Sequence, residues 1–267
     1  MQLSDKTIVI TGAGSGIGAA LARRFYQESP RGIVIADLDS ASATAVATEV
    51  DGLSFQLDVA DEAAVSRLIA VANSEFGPID LMCLNAGIAT GGDLTVSNEL
   101  WQRTWDVNVM SQIYGVRAVL PQMLERGRGY LLHTASAAGL LTNIGAAPYS
   151  VTKHAVVALA EWLSVTYGAA GINVSCLSPQ FVDTPMLDVA NSISPGFADL
   201  VAATSIDPGQ LADDVVRGLA EERFHILPHP EVAGYMATRA TEPERWLAGM
   251  RDLQRELGAG PVLDGQV

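Results

Sequence analysis

Basic residues and sulfur are both scarce in this chain. Sixteen Lys and Arg stand against thirty Asp and Glu, for a formal net charge of −14. Such a balance excludes nucleic acid and anionic membrane surfaces as partners, because both attract basic faces. The two cysteines, Cys83 and Cys176, each sit inside an apolar strand-like run (LMCL and INVSCLS). They read as buried thiols of a reducing compartment, not as a disulfide framework. No His/Cys cluster has metal-ligand spacing, so no metal is expected. No apolar run approaches the roughly 18 residues of a membrane helix. The N-terminus lacks the charged-then-apolar layout of a signal peptide, so a cytoplasmic protein is expected. There is no repeat, low-complexity tract or linker, and residues 1–267 read as one domain.

Short apolar runs alternate with longer helical patterns. Strands are expected at Thr7–Thr11, Gly32–Asp37, Leu53–Asp58, Asp80–Asn85, Gly129–Ala135, Ile172–Ser178 and Phe224–Leu227. Helices are expected near 16–28, 40–49, 61–76, 98–126, 149–167 and 209–222. Near-continuous apolar strands are buried on both faces. Their alternation with helices predicts an α/β fold: a doubly wound parallel sheet of about seven strands, helices on both faces. One segment, 185–207, breaks the rhythm and reads as a substrate-binding excursion. Residues 240–267 read as a C-terminal amphipathic helix, Glu242–Leu257, and a tail.

The first strand runs into Thr11-Gly12-Ala13-Gly14-Ser15-Gly16-Ile17-Gly18, and a helix follows. Glycines permit a tight turn and close approach of backbone to a pyrophosphate, which the N–H groups of the helix start attract. A Gly-rich stretch alone is a weak signal, but the strand-turn-helix context strengthens it. Asp37 ends the second strand, 19 positions after Gly18. A carboxylate there suits the ribose hydroxyls of NAD and repels the 2′-phosphate of NADP. Leu38, Asp39 and Ser15 supply no cation for that phosphate.

Tyr149 and Lys153 lie four positions apart at the start of a helix, on one face. A free phenol, with pKa about 10, is a poor base near neutrality; a neighbouring ammonium and a nicotinamide's positive charge both favour the phenolate. By itself this spacing is common on solvated helices. Ser136 follows the fifth strand, at the end of a sheet where sites form, and could hydrogen-bond a reacting oxygen. His133 and His154 read as core and helix-surface residues.

Taken together, these residues resemble the short-chain dehydrogenase/reductase family from about Lys6 to Thr184. The shared motifs are TGAGSGIG at 11–18, the acid at 37, Asp58-Val59, Asn85-Ala86-Gly87, Asn108, Ser136, Tyr149 with Lys153, and Pro179 to Thr184. The resemblance implies Tyr149 as general acid/base. It implies Lys153 as the group that lowers the tyrosine pKa and holds the nicotinamide ribose. Ser136 would polarise the substrate oxygen, and Asn108, in a kinked helix, would serve a proton relay to Lys153. It also implies NAD contacts from Gly12, Ser15, Gly16, Ile17, Gly18, Asp37, Leu38, Asp58, Val59, Asn85, Ala86, Gly87, Pro179, Val182 and Thr184. Leu84 and Gln180 depart from the family, which often has Asn and usually Gly there. A glycine-rich end to the last strand is replaced by Phe224–Pro230.

The expected activity is hydride transfer between NAD(H) and a secondary alcohol or ketone. Two alternatives fit the same motifs: an isomerase or dehydratase with tightly held NAD, and a non-catalytic NAD-binding regulator. Beside Ser136 and Tyr149, the substrate should meet Leu140, Met186 and Leu187, with Leu141, Ile144, Val189, Ile193, Phe197 and Leu200 nearby. No Lys or Arg occurs between Arg128 and Lys153 or between Lys153 and Arg217, while Asp183, Asp188 and Asp199 do. That favours an uncharged, lipophilic substrate over an anion, with Arg239 and Arg245 as the exceptions to examine. A homo-oligomer, tetramer or dimer, is expected from the resemblance. Apolar positions on more than one face of two helices support it: Trp105, Val109, Ile113 and Val116, then Val156, Leu159, Trp162 and Leu163.

Overall fold

The computed structural model describes residues 1–187 and 194–258. Seven strands form one parallel sheet: β1 (Thr7–Thr11), β2 (Gly32–Asp37), β3 (Leu53–Gln56), β4 (Leu81–Leu84), β5 (Gly129–Thr134), β6 (Ile172–Leu177) and β7 (His225–Ile226). Their order is β3-β2-β1-β4-β5-β6-β7. The direction of winding reverses between β1 and β4, which opens a crevice at the carboxyl ends of those strands.

Alternate side chains of each strand enter opposite cores. Ile8 and Ile10 of β1 pack with Leu81, Cys83, Tyr130 and Leu132, whereas Val9 packs on the other face with Met82, Leu84 and Leu131. Two-sided burial explains the unbroken apolar strands in the sequence. Each fully buried Leu or Ile contributes roughly 1.5–3 kcal/mol. Helices α1 (Gly16–Tyr26), α2 (Ser40–Glu49) and α3 (Glu62–Phe76) connect the first four strands. Asp39 and Asp61 cap α2 and α3 by accepting backbone amides.

The predicted helix over 98–126 is three pieces: α4 (Asn98–Trp105), a π-turn at Asp106–Met110, and α5 (Ser111–Arg126). A π-turn inserts a residue into the helical ladder and often marks a functional position; here it carries Asn108. Helix α6 (Ala147–Tyr167) starts two residues earlier than expected, with Pro148 in its first turn. After β6 come α7 (Pro195–Thr204), within the predicted excursion, and α8 (Pro208–Ala220). The terminal segment is a helical pair, α9 (Glu231–Thr241) and α10 (Pro243–Glu256), where the sequence predicts one helix. Pro230 stands immediately before α9, where a missing N–H costs nothing.

Among the residues expected to seek a second subunit, Val109, Val116, Val156 and Leu163 are buried within the chain. Trp105 and Trp162 remain exposed, as does Val165 at 85%. No helix among the described residues is long and apolar enough to cross a membrane.

Candidate active site

A cavity of about 980 Å³ opens along the carboxyl edge of the sheet. One end is the turn after β1. Gly12 and Gly16 hold φ of +64° and +52° there. A Cβ on Gly12 would lie 2.8 Å from the Cα of Ala86, so only glycine fits. Gly18 does not line the cavity. A Cβ there would meet the Gly12 carbonyl at 2.2 Å, so its role is close packing. Ser15 precedes α1, and its side chain makes no capping hydrogen bond to the amides of the first turn. Gly12, Ser15, Gly16 and Ile17 face the cavity, with Asp37, Leu38, Asp58 and Val59 farther along. The Asp37 carboxylate accepts amide protons from Gly14 at 2.9 Å and Asp39 at 3.1 Å. Arg103, which the sequence reading passed over, lies 3.4 Å from Asp58 on the same wall. These residues fit a dinucleotide: glycines where a Cβ would clash, a helix start for a pyrophosphate, and a carboxylate for ribose hydroxyls.

The middle of the site is tied together by side-chain amides. Asn85 donates from Nδ2 to the carbonyls of Thr11 and Gly12, at 3.0 and 3.1 Å. Its Oδ1 accepts the Thr134 hydroxyl at 3.1 Å. Asn108 is fully buried. Its Oδ1 accepts the Ile88 amide at 2.8 Å, and its Nδ2 donates to the Ile88 carbonyl and Thr152 Oγ1 at 3.0 and 3.1 Å. It does not line the cavity. Its Oδ1 and Lys153 Nζ flank Gly87, 3.2 and 3.4 Å from where a Cβ would stand, so the π-turn sets Asn108 beside the lysine.

Ser136, Tyr149 and Lys153 converge at the deep end. Ser136 Oγ accepts the Ala138 amide at 3.1 Å and faces the Pro179 carbonyl at 3.4 Å. Lys153 Nζ donates to the Thr134 carbonyl at 3.0 Å and stands 5.5 Å from the centroid of the Tyr149 ring. Burial pushes the lysine pKa down to about 8, from 10.5. Burial pushes the tyrosine up, and the Ser136 hydrogen bond opposes this. In the free protein burial thus works against the phenolate that the sequence expects a neighbouring ammonium and a nicotinamide to favour. His133 lies in the core, its Nδ1 2.6 Å from Gln112 Oε1, with its pKa lowered to about 3 by burial. His154 sits outside the cavity beside Arg239, 3.4 Å away.

Beyond Tyr149 the walls become apolar. Leu141, Ile144, Met186, Leu187, Phe197 and Leu200 line this end. Leu140 does not: it faces a neighbouring cavity, and Arg239 donates to its carbonyl at 2.6 Å. Asp188, Val189 and Ile193 fall outside the described residues. The remaining wall is one the sequence reading left undefined. Trp246, Met250 and Leu253 of α10 and Leu257 just after it line the cavity, with Tyr235 and Thr238 of α9. The spacing of 246, 250, 253 and 257 is a helical stripe, so its signal was present as amphipathicity. Of the two C-terminal arginines, Arg245 lines the rim, held by the Glu242 carboxylate at 3.0 Å.

A profile described as short chain dehydrogenase matches residues 6–193. The chain belongs to the short-chain dehydrogenase/reductase family. Among curated members of this family, the 1-deoxy-11-beta-hydroxypentalenate dehydrogenase of Streptomyces exfoliatus is 33% identical over 244 residues, covering 86% of each chain. The enzyme of that name from Streptomyces avermitilis is 31% identical and covers 93% of both. A short-chain dehydrogenase/reductase from Burkholderia phymatum, solved in complex with NAD, superposes over 100% of both chains with a TM-score of 0.83 at 28% identity. The 3-ketoacyl-(acyl-carrier-protein) reductase of Brucella melitensis, complexed with NADH, covers 84% of this chain and 96% of its own. Its TM-score is 0.75 at 29% identity.

Proposed function

We propose that this protein is an NAD-dependent dehydrogenase that interconverts a lipophilic secondary alcohol and its ketone. The observation that carries the reading is a single cavity with a dinucleotide cradle at one end and Ser136, Tyr149 and Lys153 at the other. The nicotinamide, when bound, takes or gives the hydride. Gly12, Ser15, Gly16 and Ile17 hold its pyrophosphate, and Asp37 selects the unphosphorylated ribose. Asn85, Ala86 and Gly87 wall the adenosine side. Pro179, Val182 and Thr184 wall the nicotinamide side.

Ser136 orients the substrate oxygen with its hydroxyl. Tyr149 removes the alcohol proton during oxidation and returns it during reduction. Lys153 offsets the charge that develops on the phenolic oxygen, and Asn108 positions the lysine through the backbone at Ile88 and Gly87. A preset frame of this kind lowers the barrier by orientation and electrostatics. The hydrophobic wall from Leu141 to Leu257 favours an uncharged, ring-sized skeleton. The named substrate of the Streptomyces relatives is a hydroxy compound whose name ends as a carboxylate does, and Arg245 is where a carboxylate would be met.

The chain is further proposed to act in the cytoplasm as a homo-oligomer, with Trp105, Trp162 and Val165 as the apolar surface available for subunit contact. Light scattering at micromolar concentration tests this, and a monomer mass near 28.1 kDa rejects it. For the activity, secondary alcohols are assayed by NADH absorbance with NAD and NADP in parallel. The reading expects turnover with NAD and a higher kcat/KM for a neutral cyclic alcohol than for a hydroxy acid of its size. Preference for the acid would move recognition to Arg245. Nucleotide binding without any turnover would reduce the protein to a regulator.

A further inference from the structure

Arg239 stands outside the cavity that contains Tyr149 and lines its neighbour, behind the C-terminal wall. Trp246 lines both cavities and so forms a partition between them. Helices α9 and α10 meet at that partition, where the ring centroids of Tyr235 and Trp246 lie 6.1 Å apart. A change in the seating of α9 is therefore passed to the wall of the substrate end.

From α9 the guanidinium reaches two groups that belong to the reacting end. It donates to the Leu140 carbonyl at 2.6 Å and to His154 Nε2 at 3.4 Å. Leu140 closes the short helical turn Ala137–Gly139, which begins at Ser136. The Ser136 hydroxyl caps the start of that turn by accepting the Ala138 amide. Arg239 takes the carbonyl at its end, where a helical turn has no partner of its own. The same turn is packed hard on α6, since a Cβ on Gly139 would lie 2.4 Å from the Lys153 carbonyl oxygen. His154 follows Lys153 directly, and its Nδ1 stands 2.9 Å from the Ser150 carbonyl. A carbonyl only accepts and a guanidinium only donates, so in the form that makes both contacts Nδ1 carries the proton and Nε2 accepts. A planar fork with several donors suits a bridge of this kind.

We propose that Arg239 is a positioning residue. It ties the C-terminal wall to the turn that starts at Ser136 and to the helix that carries Lys153, and so sets the distance of Trp246 from the reacting end. It thereby governs the affinity for substrates large enough to reach that wall, without touching them. This rests on the dehydrogenase reading above. Groups that act through a shared neighbour are not additive, so the effect of Arg239 should depend on Trp246.

The test compares 2-decalol with 2-propanol, which has no skeleton to meet the wall. The proteins are wild type, Arg239→Met, Arg239→Lys, Trp246→Ala and the double variant Arg239→Met/Trp246→Ala. For each, kcat and KM with NAD are measured, together with the Kd of 2-decalol for the enzyme–NADH complex by NADH fluorescence. Arg239→Met should raise the KM for 2-decalol about fivefold or more. It should change kcat, and kcat/KM for 2-propanol, less than about twofold. Added to Trp246→Ala, the same substitution should move the 2-decalol KM less than about twofold, because the partition it acts through is gone. Arg239→Lys keeps the charge but not the fork and should recover at most part of the loss. Full recovery would assign the effect to charge alone and overturn the bridge. So would an unchanged KM in Arg239→Met, or a fall in kcat shared by both alcohols, which marks a merely structural loss. An effect above about twofold in the absence of Trp246 would overturn it as well. If no alcohol is turned over, the dehydrogenase reading fails and the Kd decides. Weaker 2-decalol binding in Arg239→Met that disappears in the Trp246→Ala background keeps the role of Arg239, and any other result, no binding included, refutes it.

Discussion

The carboxylate of Asp37 accepts the backbone amide of Gly14 at 2.9 Å, so the end of β2 holds the glycine turn after β1. One group thus shapes the cradle and sets its charge. In Asp37→Ser the repulsion of a 2′-phosphate disappears and a ribose partner is lost. The NAD kcat/KM should fall by about tenfold, worth ~1.4 kcal/mol, while that for NADP rises. Thermal stability should drop by no more than about 3 kcal/mol, the scale of the two amide hydrogen bonds that the carboxylate accepts. Wild-type preference for NADP would sink the assignment.

Removing only the phenolic oxygen isolates the acid/base. Tyr149→Phe keeps the ring beside Lys153 and leaves the cradle untouched. It should retain NADH binding within about twofold and lose roughly 10²–10⁴ in kcat. Retention of a large share of kcat, measured under saturating NAD, would remove Tyr149 from the chemistry.

The lysine gives two pH signatures. Oxidation needs one proton removed from the Tyr149/Lys153 pair, so its rate should rise as pH passes about 8 and then level off, while reduction falls over the same range. Stability carries the second. The folded pKa of Lys153 lies below its unfolded value of 10.5, at about 8. Between these values the unfolded chain holds more protons, so stability rises with pH. Below pH 8 the buried charge costs on the order of 3 kcal/mol. Lys153→Met removes that cost but leaves the Thr134 carbonyl unpaired, at about 1–3 kcal/mol. The inactive variant should match or exceed wild-type stability in urea at pH 7 and fall below it at pH 10. An equal deficit at both pH values would refute the buried-charge account.

The C-terminal wall predicts a separation of binding from nucleotide affinity. Trp246→Ala opens the apolar end at α10 without touching the glycine turn. The KM for a bicyclic alcohol should rise about tenfold or more, consistent with ~1.5–3 kcal/mol for a large buried apolar side chain. The Kd for NADH should stay within about twofold. Unchanged KM would place the substrate elsewhere.

The sheet and the gathering of Asp37, Tyr149 and Lys153 around one cavity were legible because their residues carry local signals: apolar runs bounded by glycine, a carboxylate at a strand end, and a tyrosine and lysine one helical turn apart. What was less legible depends on contacts distant in sequence. Arg239 reaches the Leu140 carbonyl across 99 positions, which turns Leu140 out of the cavity expected to contain it. Helix α9 follows Pro228 and Pro230 and was not read from the sequence, which assigned only one terminal helix, Glu242–Leu257. The sign of the Tyr149 shift depends on how deeply the phenol is buried, and burial is a property of the assembled cavity.

The residues proposed to carry the chemistry all lie at or before Thr184, whereas α10 contributes to the cavity wall and supplies none of them. Residues 231–258 are accordingly the segment to exchange in a test of substrate range. Grafting the corresponding segment of another family member onto this chain would alter which skeleton is admitted while leaving the hydride-transfer apparatus intact. Under the proposed assignment, substrate range and reaction type would be inherited separately.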